Sequence, residues 1–341
     1  MRPLLQELAQ ASARGEPVSG QIALDLLRLP PDGMPDLFAA ASAMKRRFFK
    51  EAARLCTILN ARSGACPEDC AFCAQSAHHR TGVAVYDLCA REAIAEAYDR
   101  AALLPVSHFG VVTSGPTLDD EGVQRLAGTI REHGQNGPAW CASLGGLREE
   151  QFRSLKRAGL RRFHHNLEAA ASYFPLVCTT HRHAERVDTL RAARRAGLEL
   201  CSGGILGMGE SMEQRVEFAL ELQDARVDSI PLNFLVPIKG TKLEHIEPIA
   251  PLAALRCVAM FRMTNPRAEI KVCAGRTHLR DLQSMIFHAG ATGMMIGDLL
   301  TVAGRDVETD LQMLRDLELA CETSGEPPAG LRESAGVGNE A

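Results

Sequence analysis

The chain has 341 residues, of which 46% are hydrophobic, 23% are charged and only 5% are aromatic. This balance is typical of a folded globular protein and excludes collagen-like, fibrous and wholly disordered classes. The net charge of −4 gives no electrostatic reason to expect a nucleic-acid partner. The sequence has no run of about 18 apolar residues and no signal-peptide core, so we expect no membrane partner and a cytoplasmic location.

The eleven cysteines are unusual for a chain expected in a reducing compartment. Structural disulfides are rare there, and an odd number of cysteines cannot pair completely within one chain. Isolated cysteines pack as small buried residues, whereas clustered cysteines are typical metal ligands. The positions of the cysteines are therefore the first guide to function.

The two ends of the chain differ from its middle. Residues 1–50 are predicted to form a helical extension, because LLQELAQ and DLFAAASAMKRRFF carry apolar residues at helical spacing around a Pro/Gly break. The segment 324–341 is rich in Gly, Pro, Ser and Glu and is predicted to be a disordered tail. The domain between them is predicted to span residues 51–323.

Short apolar runs alternate with amphipathic helical stretches throughout that domain. The runs predicted as strands are 55–59, 108–114, 139–144, 162–167, 198–206, 229–236, 270–275 and 293–297. Helices are predicted over 149–159, 184–197 and 213–225, with Gly159 and Gly197 at helix ends. Eight βα units predict an α/β fold, a TIM-type (β/α)8 barrel, with an open doubly wound sheet as the alternative.

The most specific motif follows the first predicted strand and contains Cys66, Cys70 and Cys73. Three thiolates at these spacings can converge on one metal centre, and soft thiolates suit iron–sulfur clusters, zinc or Cu(I). A structural zinc ion requires a fourth ligand, for which His78 and His79 are close in sequence. A cubane cluster held by the three cysteines alone keeps one iron open for a substrate or cofactor.

This cysteine motif, with Phe72 before its last cysteine, resembles the signature of the radical S-adenosylmethionine (SAM) superfamily. The resemblance implies that Cys66, Cys70 and Cys73 hold a [4Fe–4S] cluster. It also implies that SAM chelates the open iron and is cleaved reductively to a 5′-deoxyadenosyl radical, which abstracts hydrogen from the substrate.

Longer motifs resemble the biotin synthase family within that superfamily. They are SGACPEDCAFCAQSAHHRTGV, HNLE, TTHRHAERVDTL, LCSGGILGMGE, PLNFLVPIKGT and AGR, and the resemblance covers residues 45–322. It implies radical sulfur insertion into dethiobiotin to form biotin. It further implies an electron donor such as flavodoxin or ferredoxin, iron–sulfur assembly proteins as partners, and a homodimer.

The same resemblance implies a second cluster deep in the barrel, which in this family is a [2Fe–2S] centre held by three cysteines and one arginine and donates the sulfur. Cys141, Cys201 and Arg276 match three of those positions, but Gly110 stands where the remaining cysteine is expected. We therefore expect an auxiliary cluster built differently, with Cys178, Cys273 or both as further ligands. The alternative is that this cluster was lost. Four further cysteines are predicted to be packing residues: Cys56, Cys89, Cys257 and Cys321.

Further residues match family positions for SAM and the substrate. The resemblance places the SAM adenine near Gly203, Ile205 and Gly207, and the SAM amino group near Thr113 and Ser114. It assigns Glu168 to the SAM ribose, Arg186 to the SAM carboxylate, and Asn166 and Asn233 to the ureido ring of dethiobiotin. An amide both donates and accepts hydrogen bonds, which suits a cyclic urea. Each residue also has a structural interpretation as a turn, strand end or surface charge.

Two other classes of function are compatible with the cysteines. One is a related radical SAM enzyme, such as a methylornithine-synthase-like mutase or a hydrogenase-maturation protein. The other is a non-catalytic iron–sulfur or zinc protein in which cysteines are structural. Release of deoxyadenosine from SAM separates an enzyme from a structural protein, and formation of biotin separates the two kinds of enzyme.

Overall fold

The computed structural model describes residues 2–134 and 137–323, so the tail predicted over 324–341 lies outside the described residues. The described residues contain ten strands: β1 (Ala52–Arg62), β2 (His108–Thr113), β3 (Ala139–Ser143), β4 (Arg162–His164), β5 (Glu199–Cys201), β6 (Gly204–Leu206), β7 (Ser229–Phe234), β8 (Glu269–Val272), β9 (Gly293–Met295) and β10 (Ala320–Cys321).

Helices follow most of these strands. They are α1 (Arg2–Arg14), α2 (Gly20–Leu27), α3 (Met34–Phe48), α4 (Arg91–Ala102), α5 (Asp120–His133), α6 (Glu149–Ala158), α7 (Phe174–Val177), α8 (His183–Arg195), α9 (Met212–Asp224), α10 (Pro251–Thr264), α11 (Met285–His288) and α12 (Val307–Asp316). Gly159 ends α6 with a left-handed backbone (φ of 114°), as its position in the sequence predicted.

The strands form a closed parallel barrel, which confirms the predicted fold and excludes the open sheet. The strand order is β1-β2-β3-β4-β5-β7-β8-β9, and β1 also pairs with β9. β10 pairs in parallel with the start of β1. Residues in register on neighbouring parallel strands share a face, so the inner surface can be followed around the barrel. Cys56 on β1, for example, is in register with His108 on β2 and with Met295 on β9.

The fifth strand of the barrel is broken, although residues 198–206 were predicted as one strand. β5 pairs with β4 and β7, whereas β6 pairs with β7 only. A side chain at Gly203 would place its Cβ 2.0 Å from the carbonyl oxygen of Pro231, and one at Gly204 would lie 2.2 Å from that of Glu168. The two glycines therefore permit close backbone approach at the break.

The N-terminal helices pack against the outside of the barrel. α2 and α3 contact α10, and α3 also contacts α11. The buried side chains of these helices and of the barrel form one continuous hydrophobic cluster. The helical extension therefore has no separate core. No helix among the described residues is long and apolar enough to cross a membrane.

The amino-terminal end of the barrel is closed by a buried ionic network, which we call the floor: Arg54, Arg162, Glu199, Glu269 and Lys271. Glu269 is fully buried and accepts from Arg54 Nη1 at 2.7 Å and from Arg162 Nη1 at 2.8 Å. Lys271 Nζ lies 3.5 Å from Glu269, and Arg162 Nη2 donates to Glu199 at 2.8 Å. All of these residues except Glu199 are more than nine-tenths buried.

Candidate active site in the barrel

A cavity of about 550 Å³ fills the carboxyl-terminal half of the barrel. Its walls are the inner faces of the strands, and its rim includes the loop after β1 that carries Cys66, Cys70 and Cys73. Active sites of TIM barrels lie at this end, where the loops after the strands converge. The volume suits a small-molecule site.

The cysteine loop is held in shape by its own hydrogen bonds. Cys66 N donates to Gln75 O at 3.0 Å, and Cys73 N donates to Cys70 O at 3.0 Å. Ser76 Oγ donates to Glu68 O, and Thr81 Oγ1 donates to Ala74 O, each at 2.6 Å. These bonds direct three thiols and Phe72 toward one cavity. Soft sulfur donors converging in a preformed loop fit an iron–sulfur cluster.

The two histidines considered as a fourth zinc ligand lie apart from the cavity lining. His78 Nε2 contacts Pro67 O at 2.9 Å, and His79 Nδ1 contacts Cys73 O at 2.8 Å. Both rings therefore hold the loop backbone rather than join the thiols.

Cys178 lies beside this loop and not beside Cys141 and Cys201, contrary to one of the two options considered for the auxiliary cluster. Its Sγ is 3.2 Å from Asp69 Oδ1, and its thiol also contacts Cys70. α7 ends at Val177 and places Cys178 in a small buried cluster with Cys70 and Phe174. Cys178 is thus a neighbour of the first cysteine motif at the mouth of the barrel.

Arg276 also lies elsewhere than predicted. Gly275 adopts a left-handed backbone (φ of 73°), after which the chain turns into a 3-10 helix (Arg276–Leu282). The Arg276 guanidinium forms a bidentate ion pair with the fully buried Asp310, at 2.9 and 2.5 Å, and donates to Gln283. It does not line the cavity. Arg276 therefore stabilises the α12 segment and is not directed toward Cys141 and Cys201.

Four thiols line the deep part of the cavity: those of Cys56, Cys141, Cys201 and Cys273. Cys141 lies within β3 and Cys201 ends β5, while Cys273 directly follows β8. Cys56 was predicted to be a packing residue, but its thiol contacts that of Cys273. The error has a simple cause, because a single cysteine in an apolar strand carries no sign of which face it occupies.

Burial is the largest influence on the pKa of two of these thiols, Cys141 and Cys201. It raises the pKa of Cys201 to about 11, although Arg162 and Lys271 act in the opposite direction. Burial also raises the pKa of the Cys141 thiol. Both groups are therefore neutral thiols at pH 7, and a metal that bound them would have to displace their protons.

Arg186 belongs to a chain of hydrogen bonds at the cavity wall. Its Nε donates to His181 Nε2 at 2.9 Å, so His181 carries its proton on Nδ1 and donates it to Glu68 Oε2 at 2.6 Å. Arg186 Nη1 donates to Asn166 O at 2.9 Å and lies 3.8 Å from Glu168. These contacts fix a cation beside the first cysteine motif, where it can receive a carboxylate.

Glu168 and Asn166 form the adjoining wall. Glu168 has a left-handed backbone (φ of 69°), and Asn166 Nδ2 donates to its Oε2 at 3.2 Å. Burial raises the pKa of Glu168, while Arg186 acts to lower it. Burial, followed by the charge of Arg186, lowers the pKa of nearby His164 to about 4, so this imidazole is neutral.

The other predicted binding residues divide into lining and supporting positions. Thr113, Ser114, Ile205 and Asn233 line the cavity. Ser114 Oγ donates to Gly64 O at 2.9 Å and so anchors the cysteine loop to β2.

Gly203 and Gly207 permit the backbone shape and are not part of the lining. Gly207 is left-handed (φ of 90°), and its N–H donates to Glu210 Oε1 at 2.7 Å. In this motif only Ile205 lines the cavity with its side chain. The two glycines therefore shape the strand break and the turn after β6.

Sequence reasoning missed several residues of the deep cavity, among them His108 and Lys271. Ser107 Oγ donates to Leu55 O at 2.8 Å and therefore accepts from His108 Nδ1 at 3.0 Å. The Nε2 of His108 is then a lone-pair acceptor, and it is buried without a hydrogen-bond partner. The available signal was periodicity, because His108 and Gly110 share one face of β2.

Comparison with known proteins places this geometry in a family. Residues 61–222 match the family described as the radical SAM superfamily, and residues 231–320 match the biotin and thiamin synthesis associated domain. In structure, the chain is similar to methylornithine synthase (PylB), with a TM-score of 0.80 over 92% of this chain and 97% of that one. Sequence identity in that comparison is 16%, so this likeness concerns the fold alone.

Sequence relatives are much closer. The biotin synthase of Maridesulfovibrio salexigens is 47% identical over 93% of this chain and 98% of its own length. The biotin synthase of Geotalea daltonii is 45% identical over 94% of this chain and 98% of its own length. Identity at this level over nearly the whole of both chains shows that the protein belongs to the biotin synthase family.

Proposed function

We propose that this protein converts dethiobiotin to biotin by radical insertion of sulfur. The observation that carries the proposal is the presence of thiols at two depths of one cavity. Cys66, Cys70 and Cys73 lie at the mouth, and Cys141 and Cys201 lie within the barrel. A related mutase or maturation enzyme does not require the inner thiols, and a structural zinc site does not require a cavity between the two groups.

The three cysteines at the mouth would hold a [4Fe–4S] cluster with one iron open to SAM. When bound, this cluster and SAM supply a 5′-deoxyadenosyl radical that abstracts hydrogen, and an auxiliary cluster supplies sulfur. Donor chemistry supports this fit, because three soft ligands converge from a loop whose backbone is already hydrogen-bonded. On this proposal, the mouth cysteines would hold one cluster and the inner cysteines would hold the other, at the two ends of one cavity.

The residues on the wall between the two groups would bind and orient SAM. Arg186 offers a guanidinium to the SAM carboxylate, and the hydrogen bond to His181 limits its rotation. Glu168 offers carboxylate oxygens to ribose hydroxyls, and Asn166 supports its side chain at 3.2 Å. Thr113 Oγ1 is buried without a hydrogen-bond partner, which suits a contact with the SAM amino group.

Asn166 and Asn233 would bind the ureido ring of dethiobiotin. Asn233 Nδ2 donates to Gly204 O at 3.1 Å, and its Oδ1 accepts from Ala274 N at 3.0 Å. Each amide retains one N–H and one lone pair, because an amide side chain can form up to four hydrogen bonds. The bonds already formed fix the amide planes, so these remaining groups are held in place for the ring.

Partners and compartment follow from the same proposal. Reductive cleavage requires a low-potential one-electron donor, such as flavodoxin or ferredoxin, and the clusters require iron–sulfur assembly proteins. All eleven cysteines are free thiols, which supports a cytoplasmic location. We propose a homodimer on the family resemblance, to be tested by light scattering of the reconstituted protein.

Anaerobic assay tests the proposed function. The chain is reconstituted with iron and sulfide and then supplied with SAM, dethiobiotin and dithionite. We expect deoxyadenosine and biotin to form together. Deoxyadenosine without biotin would indicate a different radical SAM reaction, and the absence of both would indicate a structural role for the cysteines.

A further inference from the structure

We infer that the auxiliary cluster in this chain is held by four cysteines, Cys56, Cys141, Cys201 and Cys273, and by no arginine. The inference rests on the proposed function and goes beyond it, because it removes Arg276 and Cys178 from the expected ligands, keeps Cys273 and adds Cys56. It also explains how this chain can lack the cysteine expected at Gly110.

The four side chains converge from four different strand positions. Cys56 is on β1, Cys141 on β3 and Cys201 on β5, and Cys273 directly follows β8. Cys56 contacts Cys273, and Cys201 is close enough to interact electrostatically with the other three thiols. The four strands surround the barrel axis, so their thiols enclose a common space rather than lie along one wall.

The arrangement is wider than a site for a single ion. Two sulfurs on one tetrahedral zinc ion lie within about 4.6 Å of each other, twice the usual Zn–S distance. No three of these four thiols come within 4.8 Å of one another, among the residues that the structure describes. A cluster of several iron and sulfide ions spans a larger space and takes four cysteine ligands.

The geometry at Gly110 explains why the usual position is not used. A Cβ placed on Gly110 would lie 3.0 Å from Cγ2 of Ile58, its partner in register on β1. Ile58 therefore occupies the space that a cysteine side chain at 110 would need. Cys56 points into the same cavity two residues earlier on β1, so it supplies a thiol from the neighbouring strand.

The surroundings of the four thiols suit an anionic group. Four thiolates around a cluster carry a net negative charge, and Lys271 and Arg162 lie close to Cys56, Cys141 and Cys201. Lys271 is nearly fully buried, and its ammonium shares Glu269 with two arginines. Of the floor residues, only the cations Arg162 and Lys271 line the cavity, so they stabilise negative charge at the thiols even though Arg162 is also paired with Glu199.

A second observation points independently to a bound group at this level. The His108 ring lines the cavity and is more than nine-tenths buried, and its Nε2 has no hydrogen-bond partner. His108 is in register with Cys56. Buried polar atoms without partners are rare in folded proteins. A ligand bound at this level would account for the unpaired Nε2 of His108.

Iron and sulfide content tests the inference without relying on activity. The background for the test is a full-length variant in which Cys66, Cys70 and Cys73 are all changed to Ala. In this variant only the inner cluster can assemble on anaerobic reconstitution. In this background we expect Cys56→Ala and Cys273→Ala each to reduce iron and sulfide to the level of a Cys141→Ala variant. Arg276→Met and Cys178→Ala are expected to keep the iron and sulfide of the background chain.

The matched control is Cys257→Ala, because Cys257 is fully buried in α10 and outside the cavity. Thermal unfolding monitored by circular dichroism identifies variants that fail to fold, and for those Cys56→Ser and Cys273→Ser replace the alanine variants. Retention of iron by folded position-56 and position-273 variants would overturn the inference. Loss of iron in folded His108→Ala with retention in Cys56→Ala would also overturn it, because the ligand would then be the imidazole.

The two proposals fail separately. If the native chain produces no biotin while the inner iron still depends on Cys56 and Cys273, the proposed function is wrong and the ligand set stands. If biotin forms while the inner iron does not depend on those two residues, the proposed function stands and the ligand set is wrong.

Discussion

The floor of the barrel and the layer of thiols above it are both polar and deeply buried, but they are organised in opposite ways. In the floor, Glu269 is shared by Arg54, Arg162 and Lys271, so each of these charges has an opposite charge at 2.7–3.5 Å. In the thiol layer, burial keeps Cys201 protonated, and His108 Nε2 has no hydrogen-bond partner. The floor satisfies its own charges, whereas we propose that a bound cluster completes the thiol layer.

This difference matches the general division of labour in TIM barrels. Residues at the amino-terminal end of the strands contribute stability, and those at the carboxyl-terminal end contribute chemistry. Changes in the floor should therefore lower the free energy of unfolding, and changes around the cavity should alter binding and catalysis.

Glu269→Ala should be the most destabilising change. It leaves Arg162 and Lys271 buried without their shared carboxylate, and breaking such a pair costs about 3–5 kcal/mol. Burial alone would raise the pKa of Glu269, but these cations hold that pKa well below its ordinary value. Stability from this group is therefore complete above about pH 4.3 and is lost as the pH falls well below that value.

Urea unfolding of the wild type and of Glu269→Ala across this pH range provides the measurement. The two curves of unfolding free energy should converge toward low pH. A constant difference at every pH would show that the destabilisation comes from lost packing and not from the charge.

Arg276→Met should cost about 3 kcal/mol, at the low end of the same range. Asp310 is fully buried, but Arg305 Nη1 remains at 3.3 Å and compensates in part. Denaturant unfolding measures this effect. Loss of the inner iron in a folded Arg276→Met chain would contradict the placement of this side chain outside the cavity.

Asn233→Ala should raise the KM for dethiobiotin about tenfold, which corresponds to about 1.4 kcal/mol and to one or two hydrogen bonds. The control is Asn265→Ala, because Asn265 is a buried amide outside the cavity that donates to Ala219 O at 3.0 Å. That variant should lose stability with an unchanged KM. Equal KM values for the two variants would show that Asn233 does not bind the substrate.

Arg28→Ala should have the smallest effect, no more than about 0.5–1 kcal/mol. Its ion pair with Glu213, at 2.7 Å, is more than half exposed on both sides. The variant supplies the baseline for an ion pair outside the floor, measured in the same urea series. If Arg28→Ala lowered the free energy of unfolding as much as Glu269→Ala, ion pairs in the floor would be no more stabilising than ion pairs on the surface.

The fold and the first cysteine motif were predictable because both depend on local patterns. Eight apolar runs with helices between them specify the barrel, and the spacing of Cys66, Cys70 and Cys73 lies within one loop. The break between β5 and β6 was missed, since it depends on how closely Gly203 approaches Pro231. That distance is a property of two segments and not of either sequence alone.

The set of thiols that line the deep cavity was predicted only in part, because these thiols come from strands far apart in the chain. Cys141 and Cys201 were found by resemblance, but Cys56 required the register that places it beside His108 and near Cys273. Arg276 was misplaced because the left-handed turn at Gly275 redirects the chain after β8. Side-chain direction at a strand end depends on where the strand stops, which periodicity does not specify.

The most direct test of the central claim follows sulfur from the inner thiol site into the product. The chain is reconstituted anaerobically with sulfide enriched in sulfur-34, freed of unbound sulfide, and given dethiobiotin, SAM and dithionite. We predict biotin that carries the heavy isotope, and none from the Cys141→Ala or Cys201→Ala variants. Biotin with natural-abundance sulfur, or labelled biotin from those variants, would contradict the account.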